Sequence, residues 1–129
     1  MDGIRPRGLG QRLVVSANQD DAAVRDAITS EILEAQKDAY GTGATSARTL
    51  LDQDLIIVLI DVELARSEQT LMDAGRGDAV KAVREHFQAA IAPTFRAIVE
   101  RATGRRVTSF LSVMSVDPVY QVELFRLAL

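Results

Sequence analysis

The sequence predicts an α+β domain with a largely antiparallel four-stranded sheet packed against helices. Three observations carry this expectation. Two pairs of strand-length segments are each joined by a turn-forming stretch, Asp52-Gln53-Asp54 in the first and Ser115-Val116-Asp117-Pro118 in the second. Between the pairs lie two helical patterns interrupted at Gly75-Arg76-Gly77, and a further helical pattern precedes them. The resulting order, α-β-β-α-α-β-β, separates hairpins from helices, which favours antiparallel pairing over parallel crossover units. Strand order is left open by the pattern.

Residues 1–17 mix Gly3, Pro6, Gly8 and Gly10 with Arg5, Arg7 and Arg12 and show no apolar period, so a flexible amino-terminal arm is expected there, with one α+β domain over 18–129. From Asn18 onward Val24, Ala27, Ile28, Glu31, Ile32 and Ala35 recur on one helical stripe. Gly41 and Gly43 stop that helix, and Ser46 to Leu51 has the length of a strand. Short acidic and amide side chains bond readily to their own backbone, so Asp52-Gln53-Asp54 reads as a turn. Leu55 to Ile60 is unbroken in aliphatic residues, which implies a central strand covered on both faces.

A short helix is expected over 65–74 and a long one over 78–103. Gly75 suits a left-handed helix end, and Asp78 is placed to cap the free amides of the next helix. In the long helix Val80, Val83, Phe87, Ile91, Phe95, Ile98 and Ala102 form the expected packing stripe, with a kink before Pro93. Gly104 ends it, and Arg101, Arg105 and Arg106 gather where cations complement the carbonyl end of the helix dipole. Two strands follow, Val107 to Met114 and Tyr120 to Leu127, with Asp117-Pro118 as the structural turn between them.

Composition narrows the function classes. The 129 residues carry a formal charge of −3, are 47% hydrophobic and 26% charged, and contain no cysteine. That balance fits a globular chain, and the missing thiols exclude disulfides, thiolate nucleophiles and cysteine-ligated metal. A pI near 5.1 provides no positive field for broad nucleic-acid binding. The longest fully apolar run, Leu55 to Ile60, is far below the about twenty residues of a spanning helix. Neither membrane insertion nor export is therefore expected, and a cytoplasmic location follows by elimination.

No catalytic constellation emerges, and neither a metal nor a cofactor is expected. His86 is the sole histidine, and the acids nearest it in sequence, Glu85 and Asp78, read as a solvated helix face. Ser67, Ser109 and Ser112 lack the spacing of an activated nucleophile. Gly41-Thr42-Gly43-Ala44-Thr45 lacks the lysine of a phosphate loop. Arg76-Gly77-Asp78 matches an adhesion tripeptide, but nothing else in the chain supports export. Two readings of Gly75-Arg76-Gly77 remain: a helix-to-helix turn, and a small-anion site for bicarbonate or phosphate using Arg76 and Gly77 with Arg105 and Arg106. The edges of the expected sheet favour a homo-oligomer, a dimer first of all.

The ordered set Tyr40-Gly41-Thr42-Gly43, Leu55-Ile56-Ile57-Val58, Glu68-Gln69-Thr70-Leu71, Ala74-Gly75-Arg76-Gly77, Thr103-Gly104-Arg105-Arg106-Val107, Phe110-Leu111-Ser112 and Asp117-Pro118 resembles the MpsC-type family. That family is named for a sodium-translocating, membrane-potential-generating system. The resemblance runs from about residue 22 to 127. It implies a non-enzymatic soluble accessory or regulatory protein of a membrane system linked to inorganic-carbon or cation transport. The implied partner is a membrane-complex protein, met at the inner membrane without insertion. Ala65-Arg66 stands where the family tends to have a threonine-proline helix start, so a weaker cap is expected. Val113-Met114 replaces more polar residues after Phe110-Leu111-Ser112.

Overall fold

The computed structural model describes the backbone at residues 8–41 and 44–129, and side chains at 20–41 and 46–129. The elements are α1 (Gly8–Tyr40), β1 (Ala44–Asp52), β2 (Leu55–Val62), α2 (Arg66–Asp73), α3 (Gly77–Thr103), β3 (Val107–Val116) and β4 (Val119–Leu127). The strands form one antiparallel sheet in the order β1-β2-β4-β3. Both hairpins form as expected, and β2 and β4 meet in the middle.

Helices α1 and α3 lie side by side across one face of the sheet. Ile28 and Ile32 of α1, Ile56, Val58 and Ile60 of β2, Phe95, Ile98 and Val99 of α3, and Phe125 and Leu127 of β4 make the core. Phe110 stacks between Phe95 and Phe125, its ring centroid 6.4 Å from the first and 4.9 Å from the second. Pairing beyond area burial contributes about 1 kcal/mol for each such contact.

The turns follow backbone chemistry. Gly41, Gly75 and Gly104 have φ of 73°, 75° and 70°, the left-handed region in which a Cβ is strained. Each closes a helix: Gly41 donates to Lys37 O at 2.8 Å, Gly75 to Met72 O at 3.0 Å and Gly104 to Glu100 O at 2.8 Å. The β3–β4 turn holds Asp117-Pro118 in a cis peptide, and Ser115 Oγ donates to Pro118 O at 2.7 Å.

Several expectations are corrected. Residues 8–17, expected in a flexible arm, are helical and extend α1, because each residue added to an existing helix gains a hydrogen bond without a new nucleus. Residues 1–7 of that arm, and Thr42 and Gly43, lie outside the described residues. Asp78 is not the cap of α3. The cap position is Arg76, without a side-chain bond, and Asp78 instead accepts from Arg76 Nε at 3.3 Å. Val83 and Phe87 are 48% and 43% exposed, while Arg84 and Gln88 take the inward positions. Finally, β2 is central, but among the described residues helices cover one face alone. Ile56, Val58 and Ile60 are buried there, whereas Ile57 and Leu59 on the other face are partly exposed.

Candidate functional site

Strand alternation places Gln121, Glu123, Phe125 and Leu127 on the helix-covered face of β4. Two of these are polar, and both are fully buried. Glu123 accepts three hydrogen bonds. Gln88 Nε2 of α3 donates to Oε1 at 2.6 Å, and Ser112 Oγ of β3 and Gln121 Nε2 of β4 donate to Oε2 at 2.9 and 3.2 Å. Register puts Ser112 directly across from Glu123, so sheet pairing builds half of this site. Gln36 of α1 donates to Gln121 Oε1 at 3.3 Å, while its own Oε1 has no partner among the described residues.

The network continues toward solvent. Tyr40 OH at the end of α1 donates to Gln88 Oε1 at 2.7 Å. The Arg84 guanidinium lies 4.2 Å above the Tyr40 ring and forks onto Glu68 of α2, Nε to Oε2 at 2.6 Å and an Nη to Oε1 at 2.7 Å. Arg84 is one helical turn before Gln88, so a single face of α3 holds both ends of this relay. Glu68 also accepts the Ala65 amide at 2.8 Å. The start of α2 therefore lacks a cap from residue 65 itself, as the sequence suggests, and is held by Glu68 reaching back.

Electrostatics differ along this path. Burial pushes the Glu123 carboxyl up to about 7, against the opposing hydrogen bonds from Ser112, Gln121 and Gln88. Burial likewise raises the Tyr40 hydroxyl to about 12, although Arg84 pulls the other way. At Glu68 burial also pushes upward, but the Arg84 and Ala65 hydrogen bonds outweigh it and hold the carboxyl below its usual range. Glu123 thus changes charge near neutrality, whereas Glu68 stays ionised.

A pocket of about 210 Å³ opens above the outer end of the relay, lined by Tyr40, Ala65, Glu68, Val83, Arg84 and Phe87 among others. Its rim continues onto the outer face of α3, where Val83, His86, Phe87 and Ala90 line a second, shallow pocket and Val83 and Phe87 stand exposed. Tyr40 and Phe87 pack with ring centroids 5.0 Å apart, which fixes the Phe87 ring at the surface.

The residues singled out from sequence fall elsewhere. Arg76 and Gly77 stand at the start of α3, and Arg105 and Arg106 follow its far end. Twenty-seven residues of helix separate the two groups by roughly 40 Å, so these arginines do not converge. Arg76 pairs with Asp78, and Arg105 donates to Ala128 O and Gln53 O at 2.9 and 3.0 Å, tying the chain end to the first hairpin turn. Arg101 pairs with Glu31 across the helix layer. Gly75, Gly104, Asp117 and Pro118 occupy turns, as expected. His86 and Glu85 are exposed on α3, and no group of three metal-ligating side chains occurs among the described residues.

Sequence reading missed Gln36, Arg84, Gln88, Gln121 and Glu123. One signal was present: two polar residues alternate with apolar ones ahead of Phe125 and Leu127, on the phase that must face the core. Tyr40, Glu68 and Ser112 belong to three separated motifs of the resemblance, and the relay brings them together.

Comparison with known proteins agrees with the motifs. A family model described as Na+-translocating membrane potential-generating system (MpsC) matches residues 21–128. No curated protein and no solved structure matches the chain.

Proposed function

The chain belongs to the MpsC family, and from that premise we propose that it is a non-enzymatic accessory or regulatory component of a membrane system linked to inorganic-carbon or cation transport, acting by protein contact. The family match over residues 21–128 carries this reading. The surface chemistry supports it. Val83 and Phe87 present an apolar ridge beside a pocket with the Arg84–Glu68 pair at its floor, a shape suited to an apolar side chain from a partner. On this reading contact with the system runs through a protein partner at the inner membrane's cytoplasmic side; among the described residues no helix is long and apolar enough to cross a membrane.

Affinity purification from detergent-solubilised membranes of the native host tests this. The expected result is recovery of an integral membrane subunit of an ion- or carbon-transport system with the parent chain, and its loss with Phe87→Glu. Recovery of no membrane protein, or equal recovery with the variant, would count against the reading.

A further inference from the structure

The uncovered face of the sheet is organised in rows that run across all four strands. Register aligns Leu50 with Ile57, Ile57 with Leu124, and Leu124 with Leu111, an unbroken aliphatic row from one edge to the other. The next row on one side is Arg48, Leu59, Val122 and Val113, and on the other Asp52, Leu55, Arg126 and Ser109. Leu50, Leu111 and Val113 are 62%, 59% and 58% exposed, and no described helix packs on this side. Such a surface costs apolar hydration in a free monomer.

We infer that this face is the interface of a symmetric homodimer, with a second copy of the chain packed sheet on sheet across it. The charge pattern is self-complementary at the β1 edge, while Arg126, paired with Asp54 of its own chain, falls opposite the aliphatic Val122 of the mate. A two-fold axis lying along the Leu50–Leu111 row sets each copy's aliphatic row on its mate and turns the flanking rows over. Arg48 of each β1 then stands opposite Asp52 of the other, twice per dimer. Neither residue has an ion-pair partner among the described residues. Four strands about 4.8 Å apart and about seven residues long give a face of roughly 19 by 23 Å, and stacked sheets sit about 10 Å apart. That footprint of roughly 440 Å² lies below the about 600 Å² per partner at the lower end of specific interfaces, so the expected dimer is a weak one.

This dimer is independent of the membrane partner, which the ridge on α3 would meet on the other side of the molecule. It also differs from edge pairing, since the contact is through side chains rather than through the free strands of β1 and β3.

Sedimentation equilibrium across about 1–100 μM, with circular dichroism as the check on folding, tests the proposal. The parent chain should approach twice the 14.0 kDa of one chain. Leu50→Glu combined with Leu111→Glu, both at exposed positions, should remain folded and sediment as monomer. Arg48→Asp alone should weaken the dimer about tenfold, and Arg48→Asp with Asp52→Arg should restore it. A monomeric parent would overturn the proposal. So would a dimer that survives the two glutamates, which would locate pairing at an edge, or a double charge reversal that restores nothing.

Discussion

Replacing Glu123 by glutamine should remove most of the pH dependence of stability near neutrality. The carboxyl is fully buried, and its pKa rises from 4.5 to about 7. At about 1.4 kcal/mol per tenfold change in proton affinity this amounts to about 3 kcal/mol. The folded state holds the proton more tightly than the unfolded chain does, so it binds more protons between these limits. Stability is therefore full with respect to this group below pH 4.5, falls as pH rises through the window, and levels off above about 7. Charged or titratable neighbours on the packed elements are Tyr40 of α1, Arg84 of α3 and Glu68 of α2. Tyr40 ionises far above this window and Glu68 below it. Urea unfolding at pH steps from about 5 to about 8 should show a loss of about 2.5 kcal/mol for the parent chain, and less than about 0.5 for Glu123→Gln. A flat parent profile, or the same slope in both proteins, would refute the placement of Glu123 among neutral partners.

Other perturbations separate strong interactions from weak ones. Glu68→Gln leaves Arg84, whose side chain is 3% exposed, without its anion and should cost about 3 kcal/mol by urea unfolding. Glu31→Gln breaks the Arg101 pair between side chains 43% and 63% exposed and should change stability by less than about 0.5 kcal/mol. Phe95→Ala empties the centre of the core and should cost about 4 kcal/mol in the same assay. Gly104→Ala meets no steric neighbour within 4 Å, so its expected cost of about 1 kcal/mol comes from the positive φ alone, and Gly104→Asn should cost less.

The chain's punctuation was readable, and its facing less so. Gly75 and Gly104 mark helix ends because a positive φ there leaves little choice of residue, and Leu55 to Ile60 is too aliphatic for a surface loop. The facing of α3 was harder, since Val80 and Ile91 are compatible with either Val83 and Phe87 or Arg84 and Gln88 turned inward. Apolar count favours the first pair. The second prevails because Gln88 meets a buried carboxylate and Arg84 meets Glu68, partners on other elements that no periodicity reveals. Residues 8–17 looked like an arm for a related reason, as helix extension from a packed segment leaves no apolar period of its own. The Leu55–Ile60 run implied cover on both faces, yet described helices supply one; the second-copy interface is the inference drawn from that difference.

Membership of the MpsC family and the exposed Val83 and Phe87 of α3 support the proposed contact with a membrane subunit. Site-specific photo-crosslinking in native cells tests it most directly, with a benzophenone side chain at position 87 and, as the comparison, at position 50. An adduct with an integral membrane protein is expected from position 87 and a self-adduct from position 50. A membrane adduct absent at position 87, with the protein folded and expressed, would contradict it.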